Sequence, residues 1–309
     1  MEPRPKSRLR QALEQIFFAL LVALIFWYIF HKIPFDQFVG ALKSVEPVRF
    51  FACAALFVLL AFLVDACTHH VLFKNFGYGL KLKQVFELRL ATMLLVALGY
   101  FYGQGGIAYI ISKHARRPAT EVVGLLAFLF FCTFHATLLF ITLGQALFLP
   151  RLGKAQEFNW LWFWIAADWP LFFLWIWFWQ TRFKNFLPET LRGGLLAAFD
   201  RGKPVLYLKL ILLRSLMLAL ISFSVWLALP AFKLSVPFSA IFSLLPIQNV
   251  AFAIPTPGRY GVNEGSFILL LKLWAPKSGL LAFAFLWGTT ANILRSLLSL
   301  LTIRKFRSD

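Results

Sequence analysis

The chain has 309 residues, of which 60% are hydrophobic, 18% aromatic and only 14% charged. Soluble globular chains carry roughly 45–50% apolar and about 25% charged residues, so too few polar side chains remain to coat a water-facing surface, and a membrane protein is implied. The 31 Lys and Arg against 13 Asp and Glu give a net charge of +18, which points to nucleic acid in a soluble chain but marks cytoplasmic loops in a membrane chain.

At the N-terminus, Arg4, Lys6, Arg8 and Arg10 precede an apolar run from Ile16 to Phe30. The following His31-Lys32-Ile33-Pro34 is not a small-residue cleavage site, so the run reads as a retained helix rather than a cleaved signal. A spanning helix needs about 20 apolar residues. Spans are expected near 12–31, 50–72, 120–146, 159–180, 206–229 and 279–303. Two further apolar regions, 90–112 and 237–274, are interrupted. The first contains Gly99, Gly103, Gly105 and Gly106; the second contains Pro246, Pro255, Pro257, Gly258, Gly261 and Gly265. Proline removes a backbone donor and glycine weakens a helix, so neither region reads as one straight helix. The three cysteines, Cys53, Cys67 and Cys132, lie in apolar stretches without CxxC spacing. They encode neither a disulfide framework nor a thiolate metal site.

The basic residues choose between spans and re-entrant hairpins. If both interrupted regions return to the side they entered from, the cytoplasmic segments carry 20 Lys and Arg and the outside segments 8. Arg214, Arg259 and Arg295 lie inside apolar regions. If 90–112 crossed, Lys113, Arg116, Arg117 and the basic 181–209 loop would fall outside, and the bias would largely vanish. The expected fold is therefore an all-α polytopic membrane protein. It has six full transmembrane helices, two oppositely oriented re-entrant helical hairpins and both termini cytoplasmic. Non-helical backbone at this depth must be buried in protein or line a wet cavity, and paired interruptions point to a transport site.

An internal repeat supports the pairing. Gly124-Leu125-Leu126-Ala127-Phe128 recurs as Gly279-Leu280-Leu281-Ala282-Phe283, and Gly106 corresponds to Gly261 at the same offset of 155 residues. The whole chain, 1–309, reads as a single membrane domain. Half A spans about 50–150 and half B about 205–303, related as an inverted repeat.

An ionisable group at mid-helix in hydrocarbon costs at least about 2.5–3.5 kcal/mol, so it is paired or lines a path. Six such residues stand out: Asp65, Asp168, Arg214, Arg259, Glu264 and Arg295. Asp65 lies four residues before His69 and shares its helix face; it either serves as a headgroup or coupling acid or reaches the cytoplasmic interface. Asp168 precedes Trp169-Pro170 near the middle of its span. It faces a cavity or holds an arginine. Arg214 and Arg295 either bind phosphate through their planar donor forks or pair with Asp65, Asp168 or Glu264. Arg259 and Glu264 flank the turn where a half-helix would begin, and a helix N-terminus favours phosphate or carboxylate. Glu121 reads as a first-turn helix acid and His135 as a hydrogen-bonded packing residue. His69-His70 lacks further ligands, so no metal is expected. Tryptophans 160 to 179 read as an interfacial belt at the ends of their span and as lipid-facing or core bulk in its middle. No nucleophile elbow, P-loop, dinucleotide fingerprint or zinc motif is present, and no cofactor is expected. Transport, if any, would be gradient-driven or equilibrating.

The segment Ile254-Pro255-Thr256-Pro257-Gly258-Arg259-Tyr260-Gly261-Val262-Asn263-Glu264 resembles the PxPGGxGxxE signature of the flippase-like membrane family. That family takes in the membrane region of lysylphosphatidylglycerol synthases and their stand-alone relatives. The resemblance places Glu264 on the family's acidic residue and Pro255, Pro257, Gly258 and Gly261 on its turn. Arg259 stands where the second glycine of the pair is usual. In the first hairpin, Gly105 and Gly106 occupy the expected turn, without the proline and arginines common in relatives. The resemblance implies a lipid translocase of the inner membrane, moving a phospholipid, aminoacylated or polyprenyl-linked headgroup between leaflets. No aminoacyl-transfer domain is expected, and the protein reads as a transporter rather than an enzyme. The alternative is an intramembrane enzyme or an accessory subunit of lipid or glycolipid synthesis. Expected partners are membrane lipids, with a second copy or a lipid-biosynthesis enzyme as candidate protein partners and no nucleic acid.

Overall fold

The computed structural model describes residues 20, 23–24, 26–153, 155–251, 256 and 259–300, and the regular structure among them is helical, with no strand. In chain order the helices are α1 (Phe35–Lys43), α2 (Pro47–Asn75), α3 (Leu82–Leu98), α4 (Tyr100–Ala115), α5 (Ala119–Leu143) and α6 (Trp160–Gln180). Two short helices, α7 (Glu189–Gly193) and α8 (Ala197–Arg201), precede α9 (Pro204–Ala228). The chain continues through α10 (Phe238–Leu244), α11 (Gln248–Ala251), α12 (Val262–Leu271) and α13 (Lys277–Leu300).

Among the described residues, five helices are long and apolar enough to cross a membrane: α2, α5 with its extension to Phe148, α6, α9 with its extension to Phe232, and α13. They coincide with five of the expected spans. The sixth expectation, 12–31, lies largely outside the described residues, of which 26–32 are helical. Local chemistry sets where these helices start. Pro47 and Pro204 open α2 and α9 at the first turn, where a missing N–H costs nothing. Helices apolar on every face must be surrounded by protein or lipid. This is a multi-pass, all-helical membrane fold.

The two interrupted regions both fold back on themselves. In the first, Gly99 is the sole extended residue between α3 and α4 (φ 164°, ψ 152°). The arms then pack so closely that a Cβ on Gly103 would lie 2.3 Å from Val96 Cγ2, and one on Gly106 would lie 2.4 Å from Leu95 Cδ1. The expectation that Gly105 and Gly106 form the turn is therefore corrected. Both lie within α4, and Gly106 serves close helix–helix approach, whereas the break falls at Gly99. In the second region, α10 runs through a 3₁₀ turn at Leu245–Ile247 into α11. Gln248 Nε2 there donates to Asn263 Oδ1 on α12 at 3.2 Å, and Asn263 Nδ2 donates to the Ala284 carbonyl on α13 at 2.7 Å. Pro255, Pro257 and Gly258 lie outside the described residues.

Two apolar cores divide the bundle. Along α2, Phe50, Ala54 and Phe57 belong to a core built around α12 and α13, whereas Leu72 and Phe73 belong to a second core built around α3, α4 and α5. Along α9 the order reverses, with Leu206 and Leu210 in the second core and Val225 and Ala228 in the first. Each hairpin thus anchors one end of the bundle. The two GLLAF segments take equivalent places, early in α5 and α13, where Leu125, Phe128, Leu280 and Phe283 are buried.

Candidate functional site

Between the two cores, α2, α3, α9, α13 and the second hairpin enclose a cavity of about 210 Å³. Its wall carries the charged side chains of Asp65, Arg89, Arg214, Arg259, Glu264 and Arg295. Five of these were expected from sequence. Arg89 was not: it precedes the interrupted apolar region 90–112 in sequence, yet α3 begins at Leu82, so Arg89 sits two turns inside and is only 8% exposed. Its position just before the apolar region was the available signal.

One end of the cavity is closed by a network. The Asp65 carboxylate on α2 accepts from Arg89 Nε at 2.6 Å through Oδ2 and from Arg214 Nη1 at 2.7 Å through Oδ1. Arg89 Nη2 contacts the same Oδ2 at 2.5 Å. A single carboxylate therefore joins α2, α3 and α9. His69, one turn on, donates Nδ1–H to the Asp65 backbone carbonyl at 2.8 Å and lies 3.5 Å from its carboxylate. Removing one member of a buried ion pair typically costs about 3–5 kcal/mol, because a charge is left without a partner.

The other end is built from the second hairpin and α13. Gly261 adopts φ 81° at the N-terminus of α12, and its N–H donates to Glu264 Oε2 at 2.6 Å. Glu264 is 0% exposed and its Oε1 has no hydrogen-bond partner. The carboxylate thus occupies the positive end of its own half-helix. Arg259, two residues before the N-cap, is in the left-handed region (φ 63°). A side chain there costs roughly 1–2 kcal/mol relative to glycine, which explains why a glycine is usual at this place and sets the arginine apart. Arg295 on α13 stacks on Phe57, with Cζ 5.7 Å from the ring centroid, and its Nη1 lies 3.4 Å from Asn292 Oδ1. Among the described residues no carboxylate lies within 4.0 Å of it.

Asp168 is placed elsewhere. It lies 3.3 Å from His135 Nε2, and the pair lines a separate groove between α5 and α6. Its partner is thus a histidine, not an arginine. His135 Nδ1–H donates to the Phe131 carbonyl at 2.8 Å, as expected of a hydrogen-bonded packing residue. Glu121 does more than complement a helix end: it also contacts Arg117 at 3.5 Å and Arg201 at 3.3 Å, fastening the 181–203 segment to α5. Trp160, Trp162, Trp164 and Trp177 are exposed and Trp179 is buried.

The helices and the enclosed charges define a class: a multi-pass membrane protein with an arginine-rich cavity between two helical hairpins. The model of one protein family, the lysylphosphatidylglycerol synthase TM region, matches residues 15–299, and the chain belongs to that family. No curated protein matches the chain. Membership ties the protein to lipid-related work in the membrane.

Proposed function

We propose that the protein moves a lipid between leaflets by passing an anionic, phosphate-bearing headgroup through the cavity while the chains stay in hydrocarbon. One observation carries this reading: the cavity wall holds four arginines and two carboxylates. Four guanidinium groups at lipid depth would each cost at least about 2.5–3.5 kcal/mol if exposed to hydrocarbon. Asp65 pairs with two of them but carries a single negative charge. Arg295 lines the same cavity as Glu264 and meets no carboxylate within 4.0 Å among the described residues, and an anionic headgroup completes the balance. Planar guanidinium forks suit phosphate better than a point charge does.

In this reading the first and second hairpins are re-entrant from opposite sides, related by the inverted repeat, with six spans and both termini on the cytoplasmic face of the inner membrane. The division of the two hairpins between opposite cores favours that arrangement. The protein acts as a transporter rather than an enzyme, since Asp65 is clamped by two arginines and Glu264 caps its own helix. The test is leaflet exchange in proteoliposomes containing fluorescent phosphatidylglycerol or a fluorescent polyprenyl phosphate, followed by quenching of the outer leaflet. Faster exchange than in protein-free vesicles is expected. Unchanged exchange of both probes at several protein densities would overturn the reading.

A further inference from the structure

The groove between α5 and α6 is a second space, of about 690 Å³ and more open than the charged cavity. Pockets that enclose a drug-sized ligand run to about 300–1,000 Å³. The groove wall is aromatic and aliphatic, including Phe131, Phe134, Leu171 and Leu174, and its polar contribution comes from His135 and Asp168. Phe130 lines both spaces. Successive faces of α5 divide between them: Thr133 looks into the cavity, whereas Ala127, Phe131 and Phe134 look into the groove. The groove also faces outward, since Leu171 and Leu174 are 60% and 54% exposed.

We propose that this groove is a binding site for the hydrocarbon chains of the transported lipid, and that the Phe130 ring is the partition across which headgroup and chains are divided. The inference rests on the transport reading above. The occupant is a lipid chain because the groove shares the Phe130 side chain with the headgroup cavity, is walled by apolar side chains and opens on the exposed side of α6, a helix long and apolar enough to cross a membrane. The His135–Asp168 pair marks where the polar linker of the lipid lies. His135 Nδ1–H is committed to the Phe131 carbonyl, which leaves Nε2 and the half-buried Asp168 carboxylate facing the groove. With the ring proton on Nδ1, Nε2 is an acceptor like the carboxylate beside it, and the pair can accept from a hydroxyl group between headgroup and chains. An ordinary lipid-facing helix surface has no use for such a pair, because a carboxylate in hydrocarbon is costly.

The experiment uses the full chain in phosphatidylcholine vesicles containing phosphatidylglycerol with a diazirine in its acyl chain, followed by mass-spectrometric mapping of adducts. Adducts should be enriched on Phe131, Phe134, Leu171 and Leu174 over Phe163 and Phe173, which are exposed on the same helix α6 but lie outside the groove. Equal labelling of the two sets overturns the chain site. Ala127→Trp, which fills the groove, should abolish the enrichment and slow leaflet exchange. Leu208→Trp, on an exposed face of α9, should change neither. If Ala127→Trp fails to yield monodisperse protein, Ala127→Leu supplies the same test. Enrichment without any leaflet exchange would defeat the transport reading and keep the site, whereas exchange without enrichment would defeat the site alone.

Discussion

The two ends of the central cavity are built on different principles. At one end, Asp65 is clamped by Arg89 and Arg214, and three helices meet at a single carboxylate. At the other, Glu264 is tied to its own helix N-terminus with one oxygen unpartnered, beside Arg295, which has no carboxylate within reach among the described residues. The first arrangement engages both oxygens of its carboxylate, although Arg89 Nη1 and Arg214 Nε have no hydrogen-bond partner, and it serves mainly to hold helices together. The second leaves a carboxylate oxygen without a hydrogen bond and an arginine that meets no carboxylate among the described residues, and that is where an anion would gain most. Buried charge alone does not mark function; the state of its pairing does.

The comparison can be broken most sharply at Asp65. Asp65→Asn strands two arginines and should cost about 3–5 kcal/mol, seen as loss of monodisperse protein or a large drop in thermal unfolding temperature in detergent. The triple change Asp65→Leu, Arg89→Met, Arg214→Leu removes the whole network. It should recover most of that stability, because apolar replacement of a complete buried ion network is often neutral or stabilising.

At the other end the effect should fall on transport. Glu264→Gln keeps the cap acceptor and the side-chain shape, so the unfolding temperature should scarcely move while lipid exchange drops about tenfold, equivalent to about 1.4 kcal/mol. A Glu264→Gln protein that exchanges lipid at the parent rate would show that the free acceptor has no role. Arg295→Lys retains charge but loses the planar fork and should slow exchange by a smaller factor, whereas Arg295→Met should abolish it. The smallest difference concerns backbone strain. Arg259→Gly should be more stable than Arg259→Ala by about 1 kcal/mol, because only glycine meets φ 63° without steric cost, although both variants should lose exchange equally. Differential scanning fluorimetry compares the pair directly.

Much of this molecule is written in its hydropathy. Five spans fall where uninterrupted apolar runs predict them, since a run of some 20 apolar residues has few alternatives to a helix in lipid. The interruptions are legible too, but their inner geometry is not. Four glycines in 90–112 leave the place of the turn undetermined, because glycine permits both a break and a close helix approach; Gly99 does the first and Gly106 the second. Arg214 pairs with Asp65, which was among its expected partners. The link from Asp168 to His135 depended on which faces of α5 and α6 meet, and helical periodicity does not fix that. Arg89 was hidden by its neighbours: with Lys81 and Lys83 close by, it looks like loop charge until the start of α3 is known.

The Asp65 network also constrains how the protein can be made. Arg214 lies 149 residues beyond its carboxylate, and ribosomes add roughly 5–20 residues per second. The carboxylate on α2 must therefore wait about 7–30 s for its second guanidinium to emerge. During that interval α2, α3 and Arg89 form a half-assembled unit, sheltered by the insertion machinery or held at the membrane surface. The network is complete only when α9 arrives.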